Sequence, residues 1–211
     1  MLDFEELAAA SRDPRIDYFN RRAENWDDEE PSAATMAAKL EAQQNLLQFG
    51  PGLRLLEVGC GTGKTTSWLV SQVGKDNVTA VDFAPKMLAV ALAKNIAAEF
   101  VCLDVCLTAP GDREFDVVFC YHCFPHFRDQ AAALLNLAVA LKPAGRLIVM
   151  HTASRQRINE FHANVSGPVS GDLLPAAAEW PGLLGPAGLE QVQLIDRDDL
   201  FFLEARLAES D

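Results

Sequence analysis

Basic charge is scarce in this chain of 211 residues: 18 Lys and Arg stand against 30 Asp and Glu, a net charge of −12. A nucleic-acid partner needs a basic face that releases counterions from phosphate. The sequence offers no Lys/Arg cluster beyond Arg21-Arg22 and Arg155/Arg157, so nucleic acid is not expected as a partner. Long apolar runs are also missing. No stretch approaches the roughly 18 uninterrupted apolar residues that span a bilayer, so no membrane span is expected. The start, Met1-Leu2-Asp3-Phe4-Glu5-Glu6, lacks the basic and apolar regions of a signal peptide. Cysteines number five, an odd count, and sit on or beside expected core strands, which suits a reducing cytoplasm rather than a disulfide framework. Cys120-x-x-Cys123 is a single pair, without the second pair of a structural zinc site, and no metal is expected. Internal repeats and low-complexity tracts are absent.

What is present centres on Leu55-Leu56-Glu57-Val58-Gly59-Cys60-Gly61-Thr62-Gly63. An apolar run ends at an acidic residue, three alternating glycines follow, and a helical pattern starts at Lys64. This reads as a buried parallel strand, a tight turn and a helix N-terminus. Glycines there permit positive φ and let a ligand approach bare backbone. The helix start leaves N–H groups for a polar or anionic ligand.

Spacing separates the ligands that use such a turn. A phosphate-binding P-loop needs an opening glycine where Val58 stands. A dinucleotide fingerprint needs a third glycine where Lys64 stands. The pattern acidic-x-G-x-G-x-G is matched by Glu57, Gly59, Gly61 and Gly63. This resembles motif I of the class I S-adenosylmethionine (AdoMet) methyltransferases.

The rest of the chain follows the same order. Asn77-Val78-Thr79-Ala80-Val81 reads as a second strand ending at Asp82, an acid able to accept both hydroxyls of a ribose. Pro85-Lys86-Met87-Leu88 opens a helix with proline in its first turn. Phe100-Val101-Cys102-Leu103-Asp104 resembles the family's third motif, in which an Asp receives the adenine amino group. Phe115-Asp116-Val117-Val118-Phe119-Cys120 reads as the fourth strand. Leu141-Lys142-Pro143-Ala144-Gly145-Arg146-Leu147 resembles the family's "LKPGGxLxx" segment, with Ala144 in place of one glycine. The resemblance implies a Rossmann-like α/β fold: a seven-stranded, mostly parallel sheet with a C-terminal antiparallel hairpin and helices on both faces. It implies AdoMet as cofactor, S-adenosylhomocysteine as product and an acceptor that is a small molecule. Glu57, Gly59, Cys60, Gly61, Asp82, Asp104, Val105 and Cys120 carry over as the AdoMet shell. Phe83 is placed either to pack on adenine or to fill core.

Organisation is read as an N-terminal helical lid over residues 1–50 and a methyltransferase domain over 51–211, together one structural domain. Tyr18-Phe19-Asn20-Arg21-Arg22-Ala23-Glu24-Asn25-Trp26-Asp27 resembles a segment found in small-molecule methyltransferases of the menaquinone/ubiquinone C-methyltransferase-like branch (domain type 11/25). Tyr18 and Trp26 then either cap a substrate pocket or staple the helix onto the sheet. A helix is expected over 31–49, with Met36, Leu40, Leu46, Leu47 and Phe49 on its apolar side, stopped by Gly50-Pro51-Gly52. Helix 129–141, a helix near 176–184 and strands 189–196 and 200–207 complete the reading.

Ligands of open α/β sheets bind beyond the strands' carboxyl ends. All four histidines fall in segments directed there. His122 and His126 follow the fourth strand, His151 ends the fifth, and His162 lies on the next helix. On that helix Arg155, Asn159 and His162 share one face, with Ile158 and Phe161 on the adjacent apolar side and Ser154 as N-cap. Each histidine is either a satisfied polar group or part of the chemistry. His126, His151 and His122 are the candidates for base or acceptor-orienting group; Tyr18, Trp26, Tyr121, Arg155, Asn159 and His162 are the candidates for acceptor contact. Two alternatives stay open: a noncatalytic AdoMet- or nucleoside-binding module working through a partner protein, and a thiol or metalloid methyltransferase that depends on Cys106, Cys120 or Cys123.

Overall fold

The computed structural model describes residues 13–208. The part of the expected N-terminal lid at residues 1–12 lies outside that range. Seven strands run β1 (Leu55–Val58), β2 (Val78–Asp82), β3 (Glu99–Cys102), β4 (Phe115–Tyr121), β5 (Leu141–His151), β6 (Leu189–Arg197) and β7 (Leu200–Leu207). They form one sheet in the order β3-β2-β1-β4-β5-β7-β6. The five leading strands are parallel in their recorded pairs, and β7 closes antiparallel between β5 and β6, as the sequence indicates. The chain divides into two compact units, Met1–Leu103 and Asp104–Asp211.

In the first unit, β1 and β2 are buried along their whole length. That is why they read as apolar runs and not as alternating patterns. Helix α1 (Pro14–Arg22) starts at Asp13, whose carboxylate accepts the Arg15 N–H at 2.9 Å. The helix expected over 31–49 is two helices, α3 (Ala33–Glu41) and α4 (Gln44–Leu47), after a short α2 (Trp26–Glu29). The sequence has no glycine or proline at the break. Contacts decide it: Gln44 donates to the Phe49 carbonyl at 3.3 Å and to Gln72 at 3.2 Å, while Trp68 donates to Glu41 at 3.1 Å. After β1, the helix α5 (Thr66–Val73) begins two residues later than its pattern suggests. Helix α6 (Pro85–Ala93) carries its proline in the first turn as expected.

In the second unit, α7 (Gln130–Ala140) is capped by Asp129, which accepts the Ala132 N–H at 2.9 Å. Helix α8 (Arg155–Asn164) is capped by Ser154, which accepts the Arg157 N–H at 3.4 Å. Helix α9 covers Trp180–Leu184 only. Its Pro181 would clash with the carbonyl four residues earlier if the helix began near 176. The core gathers Phe119, Leu134, Leu137, Ile148, Trp180 and Phe201, all buried. Phe161 is a correction: it is 63% exposed and packs no apolar side of α8.

Candidate functional site

The first unit holds the glycine turn. Gly59, Gly61 and Gly63 have φ of 67°, 55° and 77°, a region that side chains avoid. The N–H groups of Gly59 and Cys60 donate to the Val81 carbonyl at 2.8 and 3.1 Å, lashing the turn to β2. At the end of β2, Asp82 is buried, and its two oxygens accept the N–H of Gly61 and of Ala84, each at 2.8 Å. The acid expected to meet a ligand thus also sets the shape of the turn.

Glu57 acts from below. It is buried and accepts hydroxyl hydrogen bonds from Thr65 and, at 2.6 Å, from Thr66. Burial first, and the nearby Asp82 charge in the same sense, push its carboxyl up to about 7 against the two hydroxyls. Its visible work is to tie β1 to the start of α5. Cys60 and Cys102 are small core groups, packed with Ala80 and Leu88.

Lys64, the residue that spoils the dinucleotide fingerprint, has a structural task. Its ammonium donates to the carbonyls of Asp27, Glu30 and Pro31 at 2.8, 3.1 and 3.1 Å. Asp27 in turn accepts from Thr62 at 2.5 Å and pairs with Lys94 at 2.5 Å. Burial would raise the Asp27 carboxyl, but Lys94, Thr62 and Lys64 outweigh it and hold it below the ordinary carboxylate range. Segment 26–31 is thereby strapped onto the glycine turn. Trp26 lies against it, its indole nitrogen 3.8 Å from where a Cβ on Gly61 would sit. Tyr18 accepts from Arg22, whose guanidinium also covers the Tyr18 and Trp26 rings at 5.3 and 5.2 Å. Phe83 is half-buried and meets Phe19 edge-on at 5.8 Å.

The second unit brings all four histidines together. The rings of His122 and His151 are 5.0 Å apart, and those of His126 and His162 are 4.9 Å apart. His122 has φ 56°, and its Nε2 accepts the Thr152 N–H at 3.3 Å with the Thr152 hydroxyl 3.0 Å away. His126 Nδ1 lies 2.7 Å from a carboxylate oxygen of Asp172. His151 is buried with no hydrogen-bond partner on either ring nitrogen. Burial first, then the neighbouring His122, His126 and His162, hold its imidazole well below the usual histidine range. His162 is lowered by burial and by His126, against an opposing pull from Asp172. Tyr121 sits edge-on to His122 at 4.4 Å, its phenol pushed up to about 12 by burial.

Asp172 is the residue that sequence reasoning missed. It is the one charged residue between His162 and Glu179, and it is buried. Arg155 and Asn159, expected at the acceptor, bind the loop that carries it. Arg155 Nε donates to the Leu174 carbonyl at 3.1 Å, and Asn159 donates to that carbonyl at 3.1 Å and accepts the Leu174 N–H at 2.8 Å. Asp104 accepts the Cys106 N–H at 2.9 Å and pairs with Arg128 at 3.2 Å, while the Val105 carbonyl accepts from Asn136 at 2.8 Å. Cys120 is wholly buried in β4. Burial pushes the Cys102 and Cys106 thiols up to about 11 and Cys60 further, so these three are poor thiolates. Among the described residues no group of three His, Cys, Asp or Glu is arranged to hold a metal ion, and no helix is long and apolar enough to cross a membrane.

Residues 56–149 match a protein family described as "Methyltransferase domain". A malonyl-[acyl-carrier protein] O-methyltransferase of Priestia megaterium (strain DSM 319 / IMG 1521) is 29% identical over 147 residues, 69% of this chain and 53% of that protein. A ubiquinone biosynthesis O-methyltransferase of Xanthomonas euvesicatoria pv. vesicatoria (strain 85-10) is 32% identical over 143 residues, 64% of this chain and 59% of that protein. The chain spans about half the length of the curated relatives it matches. Among solved structures, a DhpI–SAH complex aligns with a TM-score of 0.69 at 22% identity, over 92% of this chain and 96% of that one, a likeness of fold.

Proposed function

We propose, for a chain that belongs to the class I S-adenosylmethionine-dependent methyltransferases, the transfer of a methyl group to a small-molecule acceptor. The observation that carries the reading is the glycine turn braced from behind by Asp82. Its three positive-φ glycines keep backbone bare, and the two N–H bonds fix the plane of the Asp82 carboxylate. A carboxylate offers about four acceptor positions, so the same group suits a ribose diol. These features fit AdoMet, whose sulfonium supplies an already activated methyl group when bound.

The chain's own residues then have three tasks. Gly59, Cys60, Gly61 and Asp82 hold the cofactor in this reading, with Phe83 next to Asp82 in the chain. The strap over residues 26–31 excludes water from the turn, and Lys64 keeps it there. The histidine cluster receives the acceptor. Alignment of the reacting groups can supply about 7–11 kcal/mol of barrier lowering at best. A neutral imidazole adds proton removal where the acceptor needs it.

The test is S-adenosylhomocysteine release from AdoMet, with a protein-free filtrate of cell extract as the source of acceptors. His126→Ala and His151→Ala are expected to bind AdoMet as the native chain does and to lose turnover by about 100-fold or more. Full turnover in both variants would remove the histidines from the chemistry.

A further inference from the structure

The second unit holds an acid and a base in direct contact. His126 Nδ1 lies 2.7 Å from Oδ2 of Asp172, and the Asp172 side chain is 1% exposed against 19% for His126. A surface ion pair has both groups in water and contributes little to stability. Here the acid is out of water and the imidazole is within its reach.

Both partners are held in place. His126 closes a 3₁₀ turn, Phe124–His126, in which its N–H donates to the Cys123 carbonyl at 2.9 Å beside buried Phe124 and Pro125. The His162 ring meets the His126 ring edge-on at 4.9 Å. Asp172 donates its N–H to the Val169 carbonyl at 3.2 Å, and Val169 and Leu174 are buried. The two residues after Asp172 are clamped from two helices. Gln130 of α7 donates to the Leu173 carbonyl at 2.9 Å, and Arg155 and Asn159 of α8 bind Leu174. Among the described residues no metal-binding group of three His, Cys, Asp or Glu includes this pair.

The proton between the two can be placed. An ordinary imidazole binds a proton near pH 6.5 and an ordinary Asp near 3.9, so nitrogen outcompetes oxygen by about 2.6 units. The carboxylate therefore accepts, and Nδ1 of His126 donates. A neutral imidazole carries one hydrogen, which leaves the lone pair on Nε2. The neighbouring rings are less suited to take a proton. His122 uses its Nε2 lone pair on the Thr152 N–H, and no hydrogen bond fixes the tautomer of buried His151.

We infer that Asp172 is the positioning residue of His126: it imposes the Nδ1–H tautomer and orients the ring, so that Nε2 is the nitrogen that takes the acceptor's proton, a role that rests on the methyltransferase reading. In that step the X–H bond of the acceptor breaks with its electron pair left on X, and the proton bonds to Nε2. The imidazolium so formed has its Nδ1–H against the Asp172 carboxylate, and its extra proton passes to solvent from the partly exposed ring. Asp172 acts through His126 throughout. The same logic of an acid behind an imidazole recurs on unrelated folds and is recognised by geometry.

The experiment follows the histidine rings of the ¹⁵N-labelled native chain by long-range ¹H–¹⁵N NMR, titrated from about pH 5 to 10, across the ordinary histidine value of about 6.5. The sequence has four histidines, and His126 is assigned through its own backbone. Nε2 is expected to be the nitrogen of His126 that loses its proton. Loss from Nδ1 overturns the inference, and this reading needs no variant. Asp172→Asn offers Nδ1 an amide N–H₂ as well as a carbonyl, so it no longer forces the proton there. In that variant the tautomer preference is expected to be lost or reversed. Release of S-adenosylhomocysteine from AdoMet with the protein-free filtrate is expected to fall about 10²-fold or more, at unchanged AdoMet affinity. Loss of turnover with the native tautomer kept would mean that the acid serves only the loop, and native turnover would mean that His126 does not need it; either overturns the inference. A native chain that releases no S-adenosylhomocysteine sinks the methyltransferase reading, and with it the role of Nε2 as base. The spectrum of the native chain still reports whether Asp172 sets the ring, so the two failures are told apart.

Discussion

His151→Leu is expected to be more stable than the native chain by about 2 kcal/mol at neutral pH, because it removes a buried ring whose nitrogens have no partners. Leucine is close to imidazole in volume, so repacking costs little. The gap should widen in acid. Folded His151 stays neutral well below the ordinary histidine range, through burial and then through His122, His126 and His162. The unfolded chain takes up a proton at this position near pH 6.5. Below that pH the unfolded state binds more protons than the folded one, so the native fold loses up to about 1.4 kcal/mol per pH unit, and the variant does not. Glu57 runs the other way. Its carboxyl is raised from 4.5 to about 7, so its contribution is full at low pH and fades as pH rises through about 7. It is common to both proteins and cancels from the difference. Urea unfolding of both chains at pH 5.5 and 7.5 reads the effect. A variant less stable than the native chain at both pH values would mean that His151 is satisfied in the folded protein. The same substitution is expected to abolish methyl transfer, which would make His151 a group kept for chemistry at the expense of stability.

Gly145→Ala is expected to destabilise the second unit by about 3 kcal/mol, while a substitution at the neighbouring Ala144 is tolerated. The register between β4 and β5 shifts between Phe115 and Val117, and the chain of β5 humps over Lys142–Gly145. A Cβ on Gly145 would lie 2.8 Å from the Phe115 carbonyl oxygen and 3.0 Å from the Lys142 carbonyl oxygen. Backbone cannot move aside as a side-chain tip can. Ala144 is exposed and meets no such limit. Thermal unfolding checks this, and a Gly145→Ala protein with native stability would show that the hump relaxes freely.

That pair of residues also shows what the sequence made legible. The resemblance at Lys142–Leu147 marked a departure at Ala144, and only the structure tells that the second glycine is the one with no room. The strands and the glycine turn were readable because buried apolar runs and an acidic-x-G-x-G-x-G spacing each have few competing explanations. The split of 31–49 was not, since Gln44 and Glu41 are drawn by partners far along the chain. Within the site, the histidines could be gathered by their places at strand ends. Asp172 could not, because it sits in a loop whose path depends on Arg155 and Asn159 binding Leu174. The lone acid in a long uncharged stretch was the available signal. Lys64 reads in the sequence as the start of a helical pattern and as a missing third glycine, although a lysine beside a turn can bind several carbonyls at once.

The most direct measurement is a calorimetric titration of AdoMet and of S-adenosylhomocysteine into the native chain and into Asp82→Ala. Micromolar binding that collapses in the variant is expected, since Asp82 both faces the ribose in this reading and holds the N–H groups of Gly61 and Ala84. Equal affinity in the two proteins, or no binding by the native chain, would contradict the assignment of the glycine turn to this cofactor.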